Sequence, residues 1–394
     1  MDRLENGIQR YAWGSREAIA TLQGRPAAGE PEAELWMGAH PQLPSHVTRG
    51  DVRRSLRDWI ADAPARELGP SVAAAFGELP FLLKVLAAEE PLSLQAHPSA
   101  AQAAAGFARE DAEGIPRDAP QRSYRDPRHK PELLCALTPM DALCGFRAPG
   151  ETARLFRGLG APAHLVALLE AGDLRSVLGD LLARDRGARE TLVSQMVAAC
   201  AAPPEGFERE CAWAVRLAAK YPGDVGVVSA LLLNLLRLAP GEALYLDAGN
   251  LHAYLHGVGV ELMAASDNVL RGGLTQKHMD ERELLSVLDF SPIEARPVPV
   301  LQSSPEERTY QTPAREFCLS RLDVGGDEVR RALDGPEIWL ATRGAITLRS
   351  ARGELVVQQG QSVFLSPNDG SVSAHAAQAG GATLYRARVA PPAT

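Results

Sequence analysis

Disulfide patterning is missing from this chain. Its five cysteines, at positions 135, 144, 200, 211 and 318, are odd in number and include no C-x-x-C pair. That excludes a disulfide framework and a thiolate zinc cluster, so any metal here must use other ligands. An excess of positive charge is also missing: 41 Lys and Arg face 49 Asp and Glu, a formal net charge of −8. General nucleic-acid binding needs a basic surface that displaces counterions, so no nucleic-acid partner is expected. An anionic substrate would need a local cluster of Lys and Arg. Long apolar runs are lacking too. The longest, "VGVVSALLLNLL" at 225–236, lies between Asp224 and Arg237 and falls short of the roughly 18 residues that span a bilayer. It reads as a buried helix, and no membrane partner is expected. The opening "MDRLENGIQRYAWGS" mixes charges of both signs without an apolar core segment, which argues against a secretory signal and predicts a cytoplasmic location.

What is present is a chain of 394 residues with 45% hydrophobic content, long enough for two or three packed domains. Up to about residue 145, short apolar runs such as "ELWMG" and "PFLLKVLAA" alternate with Gly and Pro punctuation, the pattern of short strands and loops. Between 150 and 237 the texture becomes helical. In "DLRSVLGDLLARD", Leu174, Val177, Leu178, Leu181 and Leu182 recur at spacings of three and four, with Asp173 as N-cap. After 240 strands return, and beyond 300 they alternate in "EFCLSRLDV", "EIWLATRGAITLRS" and "GELVVQQGQSVFLSP". The stretches "GEALYL" (241–246) and "GQSVFL" (360–365) echo each other. If that match is a true repeat, the chain holds two related β-barrels of jelly-roll or cupin type. Six residues beyond each Leu stand His252 and Ser371, so only the first copy offers a metal ligand there. The fold expected is mainly β with an α-helical insertion. Residues 1–149 and 238–295 form a first jelly roll, 150–237 an all-helical domain, and 296–394 a second jelly roll without a metal site.

The stretch "SLQAHP" at 93–98 carries the first chemical signal. In an extended chain Ser93, Gln95 and His97 share one face, with Gln95 and His97 about 7 Å apart, so their side chains can converge on one small object. Two further stretches bracket the helical region. "YRDPRHKPELLCAL" (124–137) offers His129, Lys130 and Glu132, and residues 246–280 offer His252, Tyr254, His256, Glu261, Asp267, Arg271 and Lys277. Gln, His, Glu and His donors around one centre suit a divalent, zinc-like ion with an open position for water or substrate.

Taken together, "YAWGS" (11–15), "ELWMGAHP" (34–41), "PFLLKVL" (80–86), "SLQAHP", "HKPE" (129–132) and "HAYLHGVGVELMAASDNVLRGGLT" (252–275) resemble, in order, the type I mannose-6-phosphate isomerases, a zinc-dependent family with the cupin fold. The resemblance implies Gln95, His97, Glu132 and His252 as ligands of one zinc ion per chain. It implies Arg271, ten residues beyond Glu261, as the catalytic arginine, and a small sugar phosphate as substrate of a monomeric enzyme. Ser99 and Ala100 depart from the charged residues that many relatives carry after the Q-x-H-P motif. The implied chemistry is aldose–ketose isomerisation through a cis-enediol, in which negative charge builds on oxygen while a proton is away. A metal ion and an arginine in a water-poor cleft can stabilise that charge, and a positioned base adds roughly 10² to 10⁴ in rate. Tyr254 joins Arg271, Glu261 and Lys130 as catalytic candidates, while the base itself stays open between Glu261, Lys130, a zinc-bound hydroxide and a neutral His. The substrate phosphate, with about two negative charges, finds Lys84, Arg271, Lys277 and the Ser93 hydroxyl as expected partners.

Each residue also has a duller reading. Glu132 beside Lys130 could be a surface pair worth under about 1 kcal/mol. His40, His129, His256 and His278 read as structural or exposed, Asp267 and Asn268 as turn residues bonding their own backbone, and Gly272–Gly273 as a turn. Two competing classes share the fold: a cupin metal dioxygenase, which favours histidines with one carboxylate, and a non-catalytic sugar-phosphate-binding module.

Overall fold

A computed structural model describes residues 1–391. The molecule is mostly β-sheet, with a run of helices between Pro149 and Ala230. Its largest sheet has ten strands, with the order Leu233–Leu238, Met140–Phe146, His252–Ala264, Phe81–Ala88, Glu34–Met37, Gly7–Gln9. Glu132–Ala136, Ala243–Leu246, Leu94–Ala96 and Leu270–Gly273 join it at the side. A second sheet of seven strands gathers Asp2–Arg3, Val300–Ser304, Glu307–Tyr310, Cys318–Val324, Glu337–Arg343, Ser362–Leu365 and Ala382–Arg388. Among the described residues neither sheet closes into a barrel by hydrogen bonding. No helix there is long and apolar enough to cross a membrane.

The thirteen-residue strand His252–Ala264 organises the larger sheet. Its first half pairs with Met140–Phe146 and with Gln95, and its second half with Phe81–Ala88 and Glu132–Ala136. Between the halves the register slips at Tyr254/His256, and Gly257 takes a φ of 128° where a Cβ would lie 2.8 Å from the Pro139 carbonyl oxygen. Such a bulge shifts the alternation of side chains by one. Ala253 and Leu255 therefore face the helices, whereas beyond the bulge Val260 and Leu262 face the seven-stranded sheet. His252, Tyr254, Glu261 and Met263 are left looking inward.

Helix Leu174–Ala183 begins where the spacing predicts: Asp173 accepts from the Ser176 amide at 2.9 Å, and Leu174, Val177, Leu178, Leu181 and Leu182 are all buried. The apolar run at 225–236 is not one helix. Gly226–Ala230 is helical, but Leu233–Leu238 is a strand antiparallel to Met140–Phe146. A short, uniformly apolar run carries no period that separates the two states. The amino-terminal strand Asp2–Arg3 pairs with Ser362–Leu365, at the edge of the sheet otherwise built from residues 300–388. The two echoing hexapeptides hold different places. Ala243–Leu246 pairs with Glu132–Ala136, while Ser362–Leu365 lies between Asp2–Arg3 and Glu337–Arg343.

Gly272 and Gly273 are not a turn but the end of strand Leu270–Gly273. Gly273, with φ 129°, lets the strand touch the start of the short helix, since a Cβ would sit 2.5 Å from the Gly226 Cα. Asp224 ties the same contact, accepting from Gly226 N at 2.7 Å and Thr275 N at 3.1 Å. Replacing Gly273 by Ala is expected to destabilise the protein by about 1–3 kcal/mol. Urea unfolding checks this; an unchanged midpoint would contradict the close approach.

Candidate metal centre and active site

His97, Glu132 and His252 are buried and each presents one atom within 4.8 Å of the others. Nε2 of His97 lies 3.3 Å from Glu132 Oε1, and Nε2 of His252 lies 3.7 Å from Oε2. The other ring nitrogens fix the tautomers. His97 Nδ1 is 2.7 Å from the Asn268 carbonyl oxygen and His252 Nδ1 is 2.9 Å from that of Asn250. A carbonyl only accepts, so each Nδ1 carries the hydrogen and each Nε2 presents a lone pair. Burial keeps both rings neutral, pushing His252 down to about 4 with His97 beside it, and pushing His97 down together with Lys130. Burial works against ionising Glu132, yet Lys130 and the two rings hold its carboxyl well below the usual range. Two lone pairs therefore face an ionised carboxylate in a buried space, and the His97 Nε2 atom has no hydrogen-bond partner. A divalent cation resolves that repulsion, and the N,N,O donor set suits zinc with a further position free.

Gln95 belongs to the same place. Its strand, Leu94–Ala96, runs between His252–Ala264 and Leu270–Gly273, with Gln95 opposite both His252 and Arg271. A cavity of about 540 Å³ lies beside the cluster, with Ser93, Gln95, Lys130, Arg125, Arg271 and Lys277 among the residues that line it. Lys130 is buried and 2.8 Å from Glu132 Oε1, so this pair is part of the site and not a surface pair. Arg125, Arg271 and Lys277 form no ion pair among the described residues. Burial lowers the proton affinity of Arg271 and Lys277, with Arg125 adding to both shifts. Three cations without an ion-pair partner line one cavity, and such a cluster favours an anion.

The structure redistributes several expected roles. Lys84, expected among the phosphate cations, is buried with Nζ 3.0 Å from Glu261 and 3.7 Å from Glu34; two carboxylates already neutralise it. Burial pushes the Glu261 carboxyl up to about 7. The Tyr254 hydroxyl is buried without a hydrogen-bond partner. Asn268 does not bond its own turn. Its side chain accepts from the amides of Arg125 (2.7 Å) and Asp126 (3.3 Å) and donates to the carbonyls of Asp126 (2.7 Å) and Arg128 (2.8 Å). Asp267 accepts from Gln42 at 2.8 Å and lies 3.5 Å from His40, itself buried against Trp36. His129 pairs with Glu316 at 2.7 Å, away from the ligand cluster, and His278 is exposed.

Residues 1–149 match the family description "Phosphomannose isomerase type I, catalytic domain". The mannose-6-phosphate isomerase of Escherichia coli K12 is 40% identical, covering 95% of this chain and 96% of that protein. The chain belongs to the type I phosphomannose isomerase family. The human mannose-6-phosphate isomerase is 33% identical over 98% of this chain and 97% of its own. A crystal structure of a lysine-to-alanine variant of phosphomannose isomerase from Salmonella typhimurium superposes with a TM-score of 0.92 at 37% identity, covering 99% of this chain and 100% of that one. A zinc-bound mannose 6-phosphate isomerase gives 0.91 at 37% identity, with 99% of each chain covered.

Among these phosphomannose isomerase residues, Arg125 and Asn268 escaped the sequence reading. Both stand inside stretches singled out for other residues, and only the fold shows the Asn268 amide clamping the loop that carries Arg125. The same residue's carbonyl orients His97. Asn268→Ala is expected to leave the protein folded and to weaken metal binding about 10- to 100-fold. Competition with a chromophoric chelator measures this, and wild-type affinity would remove Asn268 from the metal site's support.

Proposed function

We propose that this protein is a zinc-dependent isomerase that interconverts mannose 6-phosphate and fructose 6-phosphate through a cis-enediol. The observation that carries the reading is the pair of imidazole lone pairs facing Glu132 beside a cavity lined by cations without ion-pair partners. Gln95, His97, Glu132 and His252 are assigned to the metal. When bound, zinc supplies a Lewis acid next to the sugar's carbonyl and hydroxyl oxygens. Arg125, Arg271 and Lys277, with Ser93 as hydroxyl donor, are assigned to the anionic end of the substrate and hold the sugar chain in line with the metal. Lys84 leaves the phosphate set because Glu261 and Glu34 occupy its charge.

Proton transfer between the adjacent carbons needs a group whose affinity for a proton is near neutral. Glu261, poised near 7, meets that condition, and Lys84, which lines the cavity, connects it to the substrate. Lys130, beside Glu132, is assigned to the charge that builds on the enediol oxygens, and Tyr254 lies next to His252, its ring centroid 6.2 Å from the imidazole. The two sheets are read as cupin-like jelly rolls, the first formed by 1–149 with 238–295 and the second by 296–394, with the helical domain 150–237 between them. The working unit is read as a cytoplasmic monomer.

The purified protein is expected to interconvert the two sugar phosphates, to lose that activity with a chelator and to regain it with zinc; His252→Ala loses both metal and activity. Retained activity at unchanged metal content would refute the ligand assignment. Arg125→Ala is expected to raise KM for the sugar phosphate about tenfold with kcat little changed. Steady-state kinetics decides, and an unchanged KM would take Arg125 out of the phosphate site.

A further inference from the structure

The polar cluster around Lys84 occurs twice in the molecule. Glu34–Met37 reads ELWM and Glu337–Leu340 reads EIWL. In each strand the tryptophan stands opposite a cation on the neighbouring strand, Trp36 opposite Lys84 and Trp339 opposite Arg386. In each, the indole N–H donates to the glutamate two residues earlier, at 2.7 and 2.6 Å. The cation lies against the ring, Lys84 Nζ at 5.1 Å and Arg386 Cζ at 6.0 Å from the centroid. A second glutamate from another strand completes each set, Glu261 at 3.0 Å from Lys84 and Glu307 at 3.0 Å from Arg386. All eight side chains are buried.

The copies differ in how tightly the charges are satisfied. Arg386 grips Glu337 through Nε at 2.6 Å and Nη2 at 2.5 Å, and Arg331 adds a bond to Glu307 at 2.8 Å. A guanidinium fork saturates its carboxylates and keeps its proton. In the first copy a compact ammonium sits 3.0 Å from Glu261 but 3.7 Å from Glu34, and the set borders the cavity. The Trp36 indole, not Lys84, fixes the Glu34 carboxylate.

We propose that Glu34 is a positioning residue for the isomerisation, holding Lys84 by charge so that the Lys84–Glu261 pair keeps its place beside the substrate, while the Glu337–Arg386–Glu307 copy only holds the C-terminal sheet together. The assignment rests on the isomerase reading above. A lysine among carboxylates in a buried site stays where the sum of their fields puts it, so removing one charge moves the ammonium toward Glu261 and away from the substrate.

Glu34→Gln tests this, since its amide oxygen still accepts from the Trp36 indole while the charge is gone. Zinc content should match wild type and KM should stay within about twofold, while kcat falls about 10- to 100-fold. Glu34→Asp, which keeps the charge, should retain more of kcat than E34Q. Glu337→Gln should lower the melting temperature and leave kcat unchanged. The proposal is overturned by E34Q with wild-type kcat, by a change confined to KM, by loss of zinc, or by E337Q reducing kcat as E34Q does. Should E34Q fail to fold, Trp36→Phe, which removes the N–H that orients Glu34, must lower kcat at constant zinc content, and an unchanged kcat overturns the proposal. A wild-type protein without isomerase activity overturns the functional reading itself, and this one with it.

Discussion

Two imidazoles aimed at one carboxylate are the constraint on which the site depends. Left alone, the Nε2 lone pairs of His97 and His252 repel the ionised Glu132, and burial denies them both water and protons. The backbone carbonyls of Asn268 and Asn250 prevent the simplest escape, a ring flip, because each already accepts from an Nδ1 hydrogen. The protein thus spends folding energy to hold an arrangement that only a cation relieves. Such pre-organisation makes metal affinity a property of the whole fold and not of the ligand side chains alone.

The long strand His252–Ala264 makes this arrangement possible. A regular strand would send His252 and Glu261, nine positions apart, to opposite faces. The slip at Tyr254/His256 corrects the parity, so that the metal ligand and the Lys84–Glu261 pair look into one space. The same slip lets the outer face pack helices at one end and the second sheet at the other. One local irregularity therefore sets the active-site side and the division of the core together.

The cluster of His97, Glu132 and His252 was legible in the sequence because each stands in a short family motif, Q-x-H, H-K-P-E and H-A-Y. Helix Leu174–Ala183 was legible through its period and its Asp173 cap. Lys84 was expected among the phosphate cations; its ion pairs with Glu34 and Glu261 were not legible, because these come from strands far away in sequence and a lysine looks the same whether free or paired. Asn268 was read as a turn former because amide side chains usually serve their own turn; its clamp on residues 125–128 exists only once the loops meet. The run at 225–236 carried no period to read. The internal echo was sought in "GEALYL" and "GQSVFL", whereas the correspondence that register supports is ELWM with EIWL, four residues whose significance lies in their cross-strand partners.

The pairing of Asp2–Arg3 with Ser362–Leu365 has a consequence for how the molecule is made. A ribosome releases residues 2 and 3 long before residues 363 and 364 exist, so the strand Asp2–Arg3 stays without its partner through most of synthesis. An unpaired sheet edge invites pairing with other chains. The early strand is short and carries one charge of each sign, Asp2 and Arg3, which is the composition that keeps such an edge from finding the wrong neighbour while it waits.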